Sequence, residues 1–197
     1  MESATNQWAC AEHALAYLAR ADRIPHRTEG EAVLLDLIPS DARRILDLGT
    51  GNGRLLALVK IDRPEAHGVA LDFSPAMLDA ARARFAADSS VSIVAHDLDR
   101  PLPDLGMFDA VVSSFAIHHC PHARKRALYA EVFALLAPGG VLCNLDHVAS
   151  PTAALHERFL RAIEVAPDEE DPSNLLLDLE TQLGWLRDIG YDDVDCF

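Results

Sequence analysis

Hydrophobic positions along this chain fall into two alternating kinds of run, short continuous ones rich in Val, Ile and Leu and longer ones with helical spacing. The short runs cover Arg44 to Leu48, His67 to Leu71, Val91 to Ala95, Phe108 to Ser114 and Val141 to Asp146. Strands that are apolar on both sides suit a parallel sheet whose two faces are covered by helices. Between them, Arg54 to Ile61, Pro75 to Ala87 and His122 to Leu136 place apolar residues at helical intervals, so each crossover holds a helix. Pro75 occupies a first helical position, with Ser74 before it as the N-cap. The pattern predicts an α/β domain with a doubly wound, mostly parallel sheet.

Ahead of the first strand, Ala9 to Arg20 and Glu29 to Ile38 read as two further helices separated by the breaker Pro25. They lie outside the core sheet and are candidates for an N-terminal helical lid. Beyond the fifth strand, Thr152 to Val165 reads as a helix, Pro167 to Pro172 as an exposed acidic loop, Leu175 to Ile189 as another helix, and Tyr191 to Phe197 as the start of an edge strand. A single domain over 1–197 is expected, with the lid over 1–40, a cofactor-binding core over 41–148 and the C-terminal helices over 149–197. There is no internal repeat or low-complexity tract.

Composition narrows the picture. Half of the 197 residues are hydrophobic, enough to bury a core without disulfides or a structural metal. The four cysteines, Cys10, Cys120, Cys143 and Cys196, form no C-x-x-C pair, which argues for reduced thiols and against a cysteine-rich zinc site. No apolar run is long enough to span a membrane, and the N-terminus lacks the basic and apolar segments of a signal peptide, so a cytoplasmic protein without a membrane partner is expected. The net charge of -14 repels a phosphate backbone and speaks against nucleic acid as a partner. Arg124, Lys125 and Arg126 stand together, but a charge run at a helix start reads as a solvated face.

The candidate chemistry begins at Ile45-Leu46-Asp47-Leu48-Gly49-Thr50-Gly51-Asn52-Gly53-Arg54, an apolar strand running into a glycine-rich turn and then a helix. Glycines let the backbone N–H groups approach a ligand, and the helix directs its positive end at a carboxylate or phosphate. A tight strand-to-helix connection with no ligand is the alternative. Spacing separates the ligands: dinucleotide sites use G-x-G-x-x-G/A, whereas this loop is D-x-G-x-G-x-G with Arg54 where the third small residue would pack. Asp72 ends the second strand, where a carboxylate can accept hydrogen bonds from both ribose hydroxyls. Helix capping is the other reading of Asp72, though Ser74 is better placed for it. Asp97, closing the third strand, can accept from an adenine amino group or be an ordinary loop aspartate.

Together these stretches resemble the class I S-adenosylmethionine-dependent methyltransferases of the small-molecule, Rossmann-like type, from about Ala42 to Val148. Ile45 to Gly53 resembles the family's first motif, Val69 to Ser74 its acidic second-strand end, and Ala95 to Leu98 its adenine-contacting loop. Phe108 to His119 resembles its fourth-strand motif and Leu135 to Leu142 the helix-turn-strand that follows. The resemblance implies S-adenosyl-L-methionine as cofactor and S-adenosyl-L-homocysteine as product. It implies that Gly49, Gly51 and Gly53 hold the methionine part, Asp72 the ribose, Asp97 with Leu98 the adenine, and Ser114 with Phe115 the sulfonium side, with Thr50 and Phe73 in the same set. Asp47 would anchor the loop or reach the cofactor's amino group through water. Relatives end with two more strands, so this chain would carry a truncated C-terminal edge hairpin, leaving an open edge for a homodimer.

Methyl transfer from a sulfonium is an in-line displacement with an excellent leaving group, so alignment and exclusion of water supply most of the acceleration. An acceptor that must lose a proton would benefit from a histidine, and His118, just past the fourth strand with His119, is the candidate general base. His118-His119-Cys120-Pro121-His122 is not expected to bind metal, because adjacent ligands splay and Pro121 interrupts helical spacing. In the lid, Tyr17, His13, His26 and Arg27 are candidates to close the site, with Arg27 pairing a carboxylate of cofactor or acceptor. Trp8 could line an acceptor pocket or belong to the core. The expected activity is methyl transfer to a small-molecule acceptor. The alternatives are a non-catalytic cofactor-binding regulatory or scaffold protein and an NAD(P)-dependent oxidoreductase. The loop spacing weakens the latter, and so does the absence of a Tyr-x-x-x-Lys pair, since the only lysines are Lys60 and Lys125.

Overall fold

A computed structural model describes residues 10–21 and 24–197. Trp8 and Ala9 lie outside the described residues. Helix α1 (Ala11–Ala21) and α2 (Arg27–Leu37) precede a regular alternation: β1 (Arg44–Leu48), α3 (Arg54–Asp62), β2 (His67–Asp72), α4 (Pro75–Arg84), β3 (Val91–Ala95), β4 (Phe108–Ser114), α5 (His122–Leu135) and β5 (Leu136–Leu145). Two helices follow, α6 (Ala153–Ala162) and α7 (Leu179–Ile189). The five strands run parallel in the order β3-β2-β1-β4-β5. The expected doubly wound α/β architecture is present.

Strand alternation divides the core into two layers. Ile45, Ala70, Ala110 and Val112 share one buried cluster with Leu34 and Ile38 at α2 and Leu55, Leu56 and Val59 of α3. Leu46, Leu48, Leu71 and Val111 face the other, with Leu128, Tyr129 and Val132 of α5 and partly buried Trp185, Leu186 and Ile189 of α7. Chain winding reverses between β1 and β4, and at that reversal the carboxyl ends of adjacent strands open a crevice suited to a ligand.

Several expectations are corrected. Tyr191 to Phe197 forms no strand. Gly190 caps α7 with φ 119°, Tyr191 packs its ring on Phe133 at 4.9 Å, and its hydroxyl donates to the Tyr129 carbonyl at 2.8 Å, so Tyr191 is held against α5. The strand expected from Val141 begins at Leu136, and a register irregularity between Phe108 and Ala110 of β4 absorbs the Pro138-Gly139-Gly140 turn. Residues 175–178 are extended rather than helical, because Leu175 N–H donates to the His118 carbonyl at 3.0 Å and Asp178 caps α7 through Thr181 N–H at 2.8 Å. Ser74 holds the N-cap position of α4 but its side chain makes no cap bond. Helix α2 is anchored on the core: Leu34 and Ile38 belong to it, and Arg27 and Glu31 are buried.

Candidate active site

The loop after β1 is held from beneath by two carboxylates. Asp47, buried at 1 % exposure inside β1, accepts from Thr50 Oγ1 at 2.6 Å through Oδ2, while its Oδ1 has no hydrogen-bond partner among the described residues. Burial pushes its carboxyl up to about 7, against the pull of the Thr50 hydroxyl and the nearby Leu56 amide, and the Asp72 charge adds to the rise. Asp72, at the tip of β2, accepts from Gly51 N–H at 2.8 Å and from Ser74 N–H at 2.9 Å. It therefore ties the glycine turn to the residue that precedes α4. Burial raises the Asp72 carboxyl despite these amide bonds.

The glycines serve different ends. A Cβ on Gly49 would collide with Ala116 Cβ, and one on Gly53 would lie 2.5 Å from the Phe85 ring, so both open room for neighbouring elements. Gly51, with φ 55°, meets only Met77 Sδ at 3.8 Å and faces open space. One cavity at the strand tips is lined by Asp47, Gly49, Thr50, Gly51, Asp72, Phe73, Asp97, Leu98, Ser114, Phe115 and Arg27. Gly53 does not line it, because its missing side chain makes room for Phe85.

On the far side, Phe115 has φ 54°, a left-handed conformation disfavoured for a bulky residue. Its N–H donates to the Leu145 carbonyl at 2.9 Å, Arg27 Cζ lies 5.4 Å from its ring centroid, and the His147 ring lies 4.9 Å away. Arg27 donates to Glu31 at 2.9 Å and to Tyr17 Oη at 3.4 Å, and Arg54 shares the same Glu31 carboxylate at 2.9 Å. Helix α2 is thereby fastened to the start of α3. His13 lies 3.7 Å from Asp171, and His26, at the N-terminus of α2, is exposed.

His118 does not line the cavity. Its Nδ1 pairs with Asp146 Oδ1 at 2.5 Å and its backbone N–H donates to Oδ2 at 2.9 Å, which turns the ring inward beneath β5. Burial alone would raise the Asp146 carboxyl, but the adjoining His118 ring and the His147 amide hold it below its ordinary value. His119 lines the cavity instead, with Nδ1 3.0 Å from Ser173 Oγ and 3.2 Å from the Ser173 carbonyl. Burial, and then His118 beside it, push His119 down to about 4, so the ring is neutral at neutral pH. Sequence reasoning missed Asp146, although it stands at a strand tip as Asp72 does, and missed the cavity positions Met77, His96, Asp99 and Cys120.

A family model described as a methyltransferase domain matches residues 45–140. The chain is 37 % identical over 70 % of its length to a trans-aconitate 2-methyltransferase of Methylobacterium radiotolerans, covering 50 % of that protein. It is 31 % identical over 80 % of its length to a demethylmenaquinone methyltransferase of Clavibacter sepedonicus, covering 69 % of it. The human N-acetylserotonin methyltransferase, solved with S-adenosylmethionine, superposes with a TM-score of 0.69 at 16 % identity, over 95 % of this chain and 52 % of that one. This chain belongs to the class I S-adenosylmethionine-dependent methyltransferases, a family whose cofactor is S-adenosyl-L-methionine. It spans about half the length of the first of these curated relatives.

The cavity residues fit that cofactor. A buried acceptor without a partner among the described residues, Asp47 Oδ1, suits an ammonium, and a second such atom, Ser114 Oγ, belongs to the tip of the adjacent strand β4 and to the lining of the same cavity. The Gly51 N–H is taken by Asp72, but the open space beside its Cα, just before the N-terminus of α3, leaves room for a carboxylate near the positive end of that helix.

Proposed function

We propose that this chain transfers a methyl group from S-adenosyl-L-methionine to a small-molecule acceptor brought to the Phe115 and His119 side of the cavity. The observation that carries this reading is a single cavity with both chemistries: a glycine turn and an uncompensated carboxylate at one end, and a strained aromatic with a neutral imidazole at the other. The names of relatives acting on trans-aconitate and demethylmenaquinone support an acceptor of metabolite size.

When bound, the cofactor would supply an electrophilic methyl on a sulfonium, open to in-line attack by an aligned acceptor with the neutral thioether as leaving group. Asp47 and the Gly49–Gly51 turn, with Thr50, hold the amino-acid part, and Asp72 beside Phe73 holds the ribose. Asp97 and Leu98 border the adenine, Ser114 and Phe115 the sulfonium. Arg27, stacked on Phe115, limits how the acceptor enters. His118 acts through position: its bond to Asp146 sets the turn that carries His119 to the cavity wall. His119, uncharged at neutral pH, presents a hydrogen-bonding group to the acceptor without repelling a cationic sulfonium.

Calorimetry with S-adenosylhomocysteine, followed by its release on incubating the chain with the methyl donor and panels of carboxylic acids, phenols and quinols, and amines, tests this. Binding plus acceptor-dependent release from one panel is expected. Binding without release from any panel leaves a cofactor-binding protein, and absence of binding removes the site assignment altogether.

A further inference from the structure

The basic run Arg124-Lys125-Arg126 reads as a solvated face in sequence, and only Arg126 behaves so, lying 56 % exposed beside Asp188. Its two neighbours, in the first turn of α5, reach in different directions into two loops that border the cavity. Lys125, 1 % exposed, donates from Nζ to the carbonyls of His118 and Leu175, fastening the turn after β4 to the segment before α7.

Arg124 takes the loop after β3. Its Nε donates to the Leu98 carbonyl at 2.6 Å and its Nη2 to the Arg100 carbonyl at 2.8 Å. The guanidinium is held in turn by Glu131, two turns along the same helix, through contacts of 2.5 and 2.7 Å. Glu131 Oε2 also accepts from Leu102 N–H at 2.9 Å. Three main-chain groups of one loop are thus fixed by one planar fork and its carboxylate, a geometry that lysine cannot reproduce. The same loop presents Asp97, Leu98 and Asp99 to the cavity, while Arg124 itself does not line it.

We propose that Arg124 is a positioning residue for cofactor-base recognition: it shapes the Leu98–Leu102 loop so that Asp97 and Leu98 meet the adenine, and sets base selectivity without touching the ligand. The inference rests on the reading above that adenine lies against Asp97 and Leu98. Loss of Arg124 frees the Leu98 and Arg100 carbonyls and leaves Glu131, which holds Leu102 N–H, without its guanidinium, whereas loss of Lys125 disturbs a loop on the acceptor side.

The test compares the affinities of S-adenosylhomocysteine and S-inosylhomocysteine, in which a keto oxygen replaces the 6-amino group, for the full chain and its Arg124→Gln, Arg124→Lys, Lys125→Met and Asp97→Asn variants, alongside thermal stability. The parent chain is expected to prefer the adenosyl compound. Arg124→Gln should weaken that compound about tenfold and shrink the preference, a loss equivalent to one decade of binding constant. Arg124→Lys, which keeps the charge and folds if Gln does not, should shrink the preference as well. Lys125→Met should lower the melting temperature yet keep the preference of the parent. A preference unchanged in both Arg124 variants, with stability alone reduced, overturns the proposal. No preference in the parent, or a preference untouched by Asp97→Asn, overturns instead the adenine placement beneath it, and the proposal with it.

Discussion

Two carboxylates, one at each side of the switch point, meet burial in opposite ways. Asp146, at the end of β5, is surrounded by donors: the His118 ring, the His118 amide and the His147 amide. Asp47, in β1, is met by the Thr50 hydroxyl, with the Leu56 amide nearby, and one of its oxygens has no hydrogen-bond partner among the described residues. The first carboxyl is held below its ordinary value and the second raised to about 7. Asp146 is satisfied by the protein alone and acts as scaffold, whereas Asp47, buried with an acceptor to spare, marks where a charged ligand completes the structure. The β5 side of the site is therefore self-sufficient, and the β1 side is finished only by what it binds.

The largest effect should come from breaking the self-sufficient side. Asp146→Ala leaves a buried imidazole and two amides without their acceptor and should lower unfolding free energy by about 4 kcal/mol in urea titrations. The affinity of the folded fraction for S-adenosylhomocysteine should stay within about twofold, since the cofactor end of the cavity is untouched. A stability change below about 1 kcal/mol would show that the His118 pairing is dispensable.

Within the glycine turn the same contrast recurs at shorter range. Gly53→Ala combines a left-handed backbone, φ 78°, with a clash against Phe85, and should cost about 2 kcal/mol of stability. Gly51→Ala meets open space, so only the backbone strain remains, about 1 kcal/mol. Its methyl stands where ligand would lie, however, and S-adenosylhomocysteine should bind at least about tenfold more weakly. Paired unfolding and calorimetric titrations check whether stability and affinity separate in this way. Equal affinity losses in the two variants would remove Gly51 from the contact surface.

Much of this was legible in the chain. Continuous apolar runs identify all five strands because a sheet covered on both faces leaves no polar alternation to confuse them. Asp47 and Asp72 stand out because a charged residue beside or within such a run needs a reason. What stayed hidden depends on distant partners. His118 and His119 are adjacent and chemically alike, and only Asp146, 28 residues on, decides which ring is turned inward. Arg124 and Lys125 look like surface charges until carbonyls from two separate loops are found at their tips. The strand expected at Tyr191 is lost to the Gly190 cap and to the bonds that Tyr191 makes with α5.

The smallest stability effect sharpens the comparison most, because its sign is unusual. A carboxyl whose folded value is raised contributes stability that is full below its unfolded value of 3.8 and is lost as pH rises through about 7. Asp47→Asn removes that loss. The substituted amide brings an N–H2 group without an acceptor, costing about 1–3 kcal/mol, so the net gain should be about 1 kcal/mol above pH 7. His119 and His147, both pushed down to about 4, act oppositely in the same window, since their stability is lost as pH falls from 6.5 towards 4. In the parent chain these effects oppose one another, whereas the variant keeps only the histidine contributions, so the informative curve is the difference between the two proteins. That difference, measured by urea unfolding without ligand, should favour the Asp47→Asn variant increasingly from about pH 4 to about pH 8, while S-adenosylhomocysteine should bind that variant about tenfold more weakly at about pH 8. A difference curve independent of pH would mean that Asp47 is ionised in the empty site and that some other group already answers its charge.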